Sequence, residues 1–585
     1  MSYLAPYRDM QSLMRQAHQA LGLSQFSSLD DYDLDLADAI IDEANKFASQ
    51  VLAPLNQVGD TVGCRLEDGQ VLTPPGWKEA YQQFCEAGWL GLALPEEYGG
   101  QGLPKYIAQP VNEMWQSSNL AFVMFAALAQ GGTEILQKFA NDDIKDRYLS
   151  RIVSGEWTVA MALTEPNAGS DLGVLTTKAL RQSDGTYQIK GQKIYITYGE
   201  HDMAENIVHL VLARTPDAPS GSRGLSLFAV PKYRVQDDGQ LSEFNDIRCT
   251  GIEHKTGLHG SPTCSISYGD KDACIGELIG EENQGLKAMF ILMNEARLSC
   301  GLQGVALGEL AFQKSLTYAH ERVQGSIAGQ GRVAIIEHPD VRRMLLDMRS
   351  QTYALRALGY RIAAMIDAKE NSDDHQHVSR VAQQIALLTP IFKGFATEQA
   401  NLTAGSAIQV FGGMGFVEET GIAQVMRDAR ITTIYEGTTG IQAKDLLHRK
   451  VRLDQGAALD ELLASMRTDA SLAQSNADLG LLAERFEGVL NTLEKVQRHI
   501  LSDQADITEL DAVAVPYLMA LGGICSAWQL LTSAYRAAEQ QDQDKEYFGN
   551  VMLLASFYFN NQLPKFEASL HTVLQSGSEV SQYRF

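Results

Sequence analysis

Positive charge is in short supply in this sequence: 48 Lys and Arg stand against 72 Asp and Glu, a formal net charge of −24 over 585 residues. A chain this acidic repels phosphate polymers and anionic lipid, so nucleic acid and a membrane surface make poor partners. A few local arginines or backbone N–H groups can still hold a small anion. Paired cysteines are also missing. The seven present, Cys64, Cys85, Cys249, Cys264, Cys274, Cys300 and Cys525, are odd in number and form no CxxC, so neither a zinc site nor a disulfide framework is indicated. Long hydrophobic runs are absent. The longest, Leu120 to Ala129, falls far short of the roughly 20 residues that cross a bilayer. Met1–Gly22 alternates polar and apolar residues and lacks the apolar centre of a signal peptide. Membrane insertion is not expected, and the sequence reads as cytoplasmic.

What is present is an ordinary globular composition, 45% hydrophobic and 21% charged, long enough for about three to four domains. Residues 31–150 carry apolar residues at three- and four-residue steps, as in DLDLADAIIDEANKFASQVLAPLN (33–56), and read as helices. GWLGLALPEEYGGQGLP (88–104) is a break between them. From about Glu156 the texture becomes short β-branched and aromatic runs such as WTVAMALT (157–164) and NIVHLVLAR (206–214). These imply an antiparallel β domain with no intervening helices. Long helical patterns return from about Gly285 to Lys450, broken by one polar loop, DAKENSDDHQH (367–377). His375 and His377 in it lack any metal-ligand spacing, so the segment reads as a solvated loop and no metal site is expected. The stretch 451–480 is Ala-, Asp- and Ser-rich and reads as a boundary before further helices. The expected fold is α+β and multidomain: an N-terminal extension (1–34), a helical domain (35–155), a central antiparallel β domain (156–280), a helical bundle (281–450) and an extra C-terminal helical domain (451–585).

Four segments carry candidate chemistry, and each alone also fits an ordinary turn, strand or helix start. MALTEPNAGSDLG (161–173) ends a strand with small residues that admit a flat ligand, and Thr164 and Ser170 add hydroxyls. KIYITYG (193–199) places Tyr195 and Thr197 two apart on a strand, so that they share a side. AIQVFGGMGF (407–416) is a Gly-rich turn without the full dinucleotide fingerprint. RDARITTIYEGTTGIQAKDLL (427–447) sets Glu436 where one helical pattern stops and another starts. There a carboxylate can project into a cleft beside free backbone N–H groups.

Taken together and in this order, the four segments resemble the acyl-CoA dehydrogenase family over about residues 35–450. TEPNAGSD looks like the family's flavin and substrate loop, and KIYIT like its strand beside the isoalloxazine ring. QVFGGMGF looks like the segment gripping the adenosine half of FAD, and IYEGTTGIQ like the catalytic glutamate with its flavin-contacting tail. The extra terminal pieces, with MSYLAPYRDMQSLM, NKFASQVLAPLNQVGD (45–60) and ERVQGS (321–326), are similar to a long bacterial branch that includes 3-methylmercaptopropionyl-CoA dehydrogenase-like enzymes.

The resemblance implies an FAD-dependent acyl-CoA dehydrogenase that oxidises an acyl-CoA thioester to the trans-2-enoyl-CoA and passes electrons to electron-transfer flavoprotein. It implies Glu436 as the base. Leu163, Thr164, Tyr195, Thr197 and Thr438 are then FAD contacts in the same subunit. Ser170 lies at the edge shared by FAD and acyl-CoA. Arg322, Gln409 and Gly413 contact the FAD of a neighbouring subunit, which implies a homodimer. Asn294, Arg297, Tyr435 and Gly437 join Ser170 on the substrate side, and Arg297 either orients the base loop, tunes the charge of Glu436 or forms a structural ion pair. The Glu436 amide and the flavin ribityl 2′-hydroxyl would polarise the thioester oxygen. Some members carry the base at the position of Ala296, which has no carboxylate here. Glu295, one residue before it, points about 100° away on a helix and is not the expected base. Tyr195, Met161 and Gly440 depart from the short- and medium-chain pattern. An acyl-CoA oxidase and a flavin-poor scaffolding homologue are the alternatives. The C-terminal domain is expected to cover the surface by which shorter members form tetramers, and acyl-chain length is expected to depend on packing around Asn119–Gly131.

Overall fold

The computed structural model describes residues 3–29, 32–327, 329, 331–575 and 577–584. Helix α1 (Tyr7–Ala20) turns Met10, Leu13, Met14 and Ala17 inward. α2 (Leu34–Phe47) starts on Asp33, whose carboxylate accepts from the Leu36 amide at 2.6 Å and so satisfies one of the donors a helix start leaves unpaired. After α3 (Ala53–Val62), a hairpin of β1 (Arg65–Glu67) and β2 (Gln70–Leu72) leads to α4 (Trp77–Glu86). α5 (Lys105–Phe139) and α6 (Asp142–Ser154) complete the N-terminal part. α5 is two helices joined at Asn119, whose backbone is non-helical (φ −159°, ψ 83°). The Asn119 side chain accepts from the Phe122 amide at 3.1 Å and caps the second half.

The central sheet follows the order β10-β11-β5-β12-β7-β6-β3, with β4 on β5. Its strands are β3 (Trp157–Ala162), β4 (Lys178–Arg181), β5 (Tyr187–Thr197), β6 (Asn206–Ala213) and β7 (Ser226–Pro231), then β10 (Ile247–Ile252), β11 (Thr263–Tyr268) and β12 (Ile275–Ile279). The short pair β8 (Tyr233–Val235) and β9 (Leu241–Phe244) stands apart from it. The sheet is antiparallel except between β3 and β6, which run parallel from Trp157↔Asn206 to Ala162↔Val211. The expectation of a purely antiparallel domain fails at that pair. The crossover there is made by the excursion through β4 and β5 instead of by a helix, so no helical pattern announces it.

The bundle is built from α7 (Gly285–Glu321), α8 (Pro339–Glu370) and α9 (His375–Phe411), with α10 (Ile422–Thr432) and α11 (Thr439–Lys444) after them. A hairpin, β13 (Val323–Ile327) and β14 (Gly331–Ala334), interrupts what the sequence presents as continuous helix. The polar loop expected at 367–377 shrinks to four residues between α8 and α9. Asp367 is still in α8, buried, and accepts from the Lys105 and Tyr106 amides at 2.8 and 2.7 Å. Asp374 caps α9. The expected boundary at 451–480 is also largely helix: α12 (Ala457–Gln474) buries Leu459, Leu462, Leu463 and Met466 at helical spacing.

α13 (Gly480–Leu501), α14 (Ile507–Gln540), α15 (Lys545–Asn561), α16 (Leu563–Gln575) and α17 (Ser578–Gln582) finish the chain. α14 lies against α8, α9 and α11. Two glycines allow this approach: a Cβ on Gly394 would stand 2.8 Å from Leu518, and one on Gly522 2.1 Å from Phe395. Asp511 of α14 also binds Lys444 and His448, each at 2.6 Å. α5 and α14 are long and apolar enough to cross a bilayer by length and composition, but 78% and 72% of their most apolar windows are buried inside the fold.

Candidate active site

Between α10 and α11 the chain makes a strained turn. Glu436 has φ 54° and Gly437 φ 92°. A non-glycine residue in this region costs of order 1–3 kcal/mol and persists where its surroundings enforce it. Here they do. Lys393 of α9 donates to the Gly437 carbonyl at 2.7 Å, and the Gln442 amide to the Glu436 carbonyl at 3.0 Å. Thr439 donates its hydroxyl to Glu398 at 2.6 Å, and the Tyr435 hydroxyl donates to Gln303 of α7. The amides of Glu436, Gly437 and Thr438 have no acceptor among the described residues, which leaves three successive N–H groups for a ligand oxygen.

Burial raises the Glu436 carboxyl to about 6, against the pull of the Arg297 and Lys393 cations. Arg297 is buried and pairs with Asp445 at 3.4 Å, while its Nε finds no partner among the described residues. Arg297 thus forms an ion pair and also places a positive charge close enough to act on Glu436. Lys393 is fully buried and shifted down by desolvation. Because a carboxylate must be ionised to accept a proton, kcat/KM is expected to fall as pH drops through about 6. Lys393→Met removes a charge that favours the ionised form, so it should move this acid limb upward by about one unit. A pH–rate profile of both proteins checks the sign, and an unmoved or lowered limb contradicts it.

A second group gathers around the end of β3. The Ile194 amide donates to the Thr164 carbonyl at 2.9 Å, and buried Lys193 donates to the Leu163 carbonyl at 2.8 Å and to Glu165 at 3.0 Å. Glu165 also accepts from the amides and hydroxyls of Thr176 and Thr177. Leu163 and Thr164 thus lie beside Tyr195. Tyr195 does not follow simple strand alternation: β5 bulges there against β11, with Tyr195 at φ 59°. The bulge leaves the ring 60% exposed, beyond buried Ile196, with Thr197 half-buried. An exposed ring, a hydroxyl and a backbone turn of small residues fit the flat face of a flavin. Ser170 sits on the exposed loop that follows.

A third group lies at the far ends of α7 and α9. Tyr318 stacks on Phe411 with ring centroids 4.1 Å apart, which brings Arg322 near Gln409 and Gly413. All three are exposed, as are Asn294 and Thr438. Lys393, Glu398, Gln303 and the Lys193–Glu165 pair are the residues that sequence reasoning passed over. A single lysine inside the apolar run LLTPIFKGFA (387–396) is the one available signal.

A narrow cavity opens among α5, α7, α8 and α9, lined by Leu120, Val123, Met124 and Ala127 of α5's second half and by Ser299 and Gln303 of α7. Glu436 is not on its wall. It stands next to Tyr435, which touches Gln303, and its charge reaches Cys300, one residue from Ser299.

Residues 35–156 match the family described as acyl-CoA dehydrogenase, N-terminal domain. Residues 160–270 match its middle domain and 283–451 its C-terminal domain. The chain belongs to the acyl-CoA dehydrogenase family. Residues 462–583 match a further description, acetyl-CoA dehydrogenase C-terminal like. The 3-methylmercaptopropionyl-CoA dehydrogenase of Ruegeria pomeroyi is 41% identical over 99% of both chains. A butyryl-CoA dehydrogenase of Syntrophomonas wolfei is 34% identical over 96% of this acyl-CoA dehydrogenase family member and 95% of its own length. A solved acyl-CoA dehydrogenase from Bacillus anthracis, complexed with FAD, shares the fold with a TM-score of 0.74 and 22% identity, covering 96% of this chain and 91% of its own.

Proposed function

We propose that this oxidoreductase removes two hydrogens across Cα–Cβ of an acyl-CoA thioester, giving the trans-2-enoyl-CoA, with electron-transfer flavoprotein carrying the electrons away. FAD, the family's cofactor, supplies when bound the acceptor for the hydride that leaves Cβ. The observation that carries the reading is Glu436: a carboxylate with a raised pKa on a strained turn, beside three unpaired amides.

The chain's own part in the reaction follows. Glu436 takes the α-proton, and a carboxyl titrating nearer neutrality is a better-matched base than one at its ordinary value. The free Glu436 amide donates to the thioester oxygen, where charge develops. Lys393 fixes the turn through the Gly437 carbonyl, and Arg297 keeps the carboxylate ionised between turnovers. Leu163, Thr164, Ser170, Tyr195, Thr197 and Thr438 hold the flavin within one subunit. Arg322, Gln409 and Gly413 reach the flavin of a second copy. Ser170, Asn294, Arg297, Tyr435 and Gly437 border the thioester. That end of the bundle exposes Phe416 (91%) and Leu402 (64%), apolar surface that a homodimer would cover. The preferred substrate is 3-methylmercaptopropionyl-CoA, with straight-chain acyl-CoAs after it. Support for that choice is the 41% identity over nearly the whole length. The site of action is the cytoplasm.

The test is anaerobic titration of the FAD-loaded protein with 3-methylmercaptopropionyl-, butyryl-, octanoyl- and palmitoyl-CoA, followed by turnover with electron-transfer flavoprotein. The expected result is loss of flavin colour and formation of the 2-enoyl product. A protein that bleaches with none of them defeats the proposal, and rapid peroxide formation without an added acceptor turns it into an oxidase.

A further inference from the structure

The cavity described above shares a wall with a second, wider and more open cleft, which runs between Ala93–Pro95 and the charged groups Glu134, Lys369 and Glu370. Lys105, Gln109, Asn112, Gln130 and Glu295 line both spaces, so the two are separated by the thickness of these side chains. Lys105 and Glu295 form an ion pair across the wall at 3.4 Å, with side chains 29% and 22% exposed. The pair is anchored from below, since the Lys105 and Tyr106 amides are tied to Asp367 of α8. The Lys105 end is held by those two bonds, and Glu295 stands within α7. Glu295 is thereby committed to Lys105 and away from the base position.

We propose that the Lys105–Glu295 pair, seated among Gln109, Asn112 and Gln130, is the partition that sets the upper limit on acyl length. The inference rests on the acyl-CoA dehydrogenation reading above. Tails that stop short of the wall are accepted. A longer alkyl tail must strip water from the pair and part it, leaving each charge without its partner in a partly buried place. The near side favours short acyl groups, including those ending in a heteroatom. Gln116 Oε1 and Trp115 Nε1, both on residues lining the cavity, are buried without partners among the described residues, and an all-alkyl filling would leave them so. Past the partition, a longer tail would enter the second, more open cleft.

The experiment measures kcat/KM for butyryl-, octanoyl- and palmitoyl-CoA on four FAD-loaded proteins: wild type, Lys105→Ala/Glu295→Ala, the exchanged pair Lys105→Glu/Glu295→Lys, and Gln130→Ala. Each buried methylene is worth about fourfold in affinity, so opening the partition is expected to raise the palmitoyl-to-butyryl ratio by at least about tenfold, chiefly through KM. The exchanged pair should keep the wild-type ratio, and Gln130→Ala should raise it less. The inference is overturned by a wild type that accepts palmitoyl-CoA as well as butyryl-CoA. An unchanged ratio in the alanine pair, or an exchanged pair behaving like it, overturns it too. If the alanine pair fails to retain FAD, Gln130→Ala decides, and no change there is fatal. A wild type inert toward every thioester fails at the dehydrogenase reading itself, which separates the two.

Discussion

Glu436→Gln is expected to lower kcat by about 10³–10⁴-fold while leaving acyl-CoA affinity within a few-fold of wild type. The substitution keeps the size of the side chain, and its amide group cannot accept the α-proton. The donor proposed for the thioester oxygen is the Glu436 backbone amide, and it stays in place because the turn is held by Lys393, Gln442 and Glu398 through bonds that do not use the Glu436 carboxylate. Binding and chemistry should therefore separate. Stopped-flow reduction of the flavin gives the rate, and the long-wavelength shift of flavin absorbance on adding thioester gives the affinity. Reduction at the wild-type rate would remove Glu436 from the role of base. Ala296 has no carboxylate to replace it, and Glu295 is held by Lys105 at 3.4 Å.

The second large effect concerns stability. Arg356→Met is expected to destabilise the fold by about 3–5 kcal/mol, the usual cost of removing one partner from a buried ion pair. Arg356 is fully buried and binds Glu113 of α5 at 2.6 Å and Glu309 of α7 at 2.7 Å. Asp9 of α1 lies 3.5 Å away and is shared with Arg349, and the Tyr360 hydroxyl donates to Glu113 at 2.8 Å. Without Arg356, three carboxylates face one guanidinium. Burial works to raise both glutamates: Glu113 stays above its ordinary value even with Arg356 present, while Glu309, faced by two guanidiniums, is held below. In the variant these carboxyls should titrate above their unfolded values. A raised carboxyl pKa stabilises below the unfolded value and loses that contribution as pH rises through the folded one. The deficit should therefore be largest at neutral pH and shrink toward pH of about 5. Chemical denaturation at both pH values measures it. A variant as stable as wild type, or one that worsens in acid, contradicts the account.

Glu436 was legible because its local pattern is loud: helical periodicity stops at Ile434 and resumes past Gly437, and the segment keeps its order relative to the other three. Residues whose roles depend on distant partners were silent. Lys393 lies 44 positions from the Gly437 carbonyl it holds, and Arg356 gathers groups 243 and 47 positions away. Nothing in a single helix tells which partner its buried charge will meet. The parallel β3–β6 pair was hidden for a similar reason, since its strands look like their antiparallel neighbours. The bulge at Tyr195 changes the geometry of a strand without altering its composition. The hairpin at 323–334 was lost inside a longer helical rhythm. The helix at 457–474 was obscured by Ala, Asp and Ser, which mimic a linker until their apolar spacing is counted.

The contacts of α14 bear on how the chain can be cut. Leu518 presses on Gly394, immediately beside Lys393, and Asp511 grips Lys444 and His448 just downstream of the turn. The C-terminal helices therefore brace the Glu436 turn from behind. Trimming this protein to the length of its shorter relatives would strip that brace from the lysine and the turn together, so a shortened chain would serve poorly as a minimal catalyst even if its flavin domains assembled.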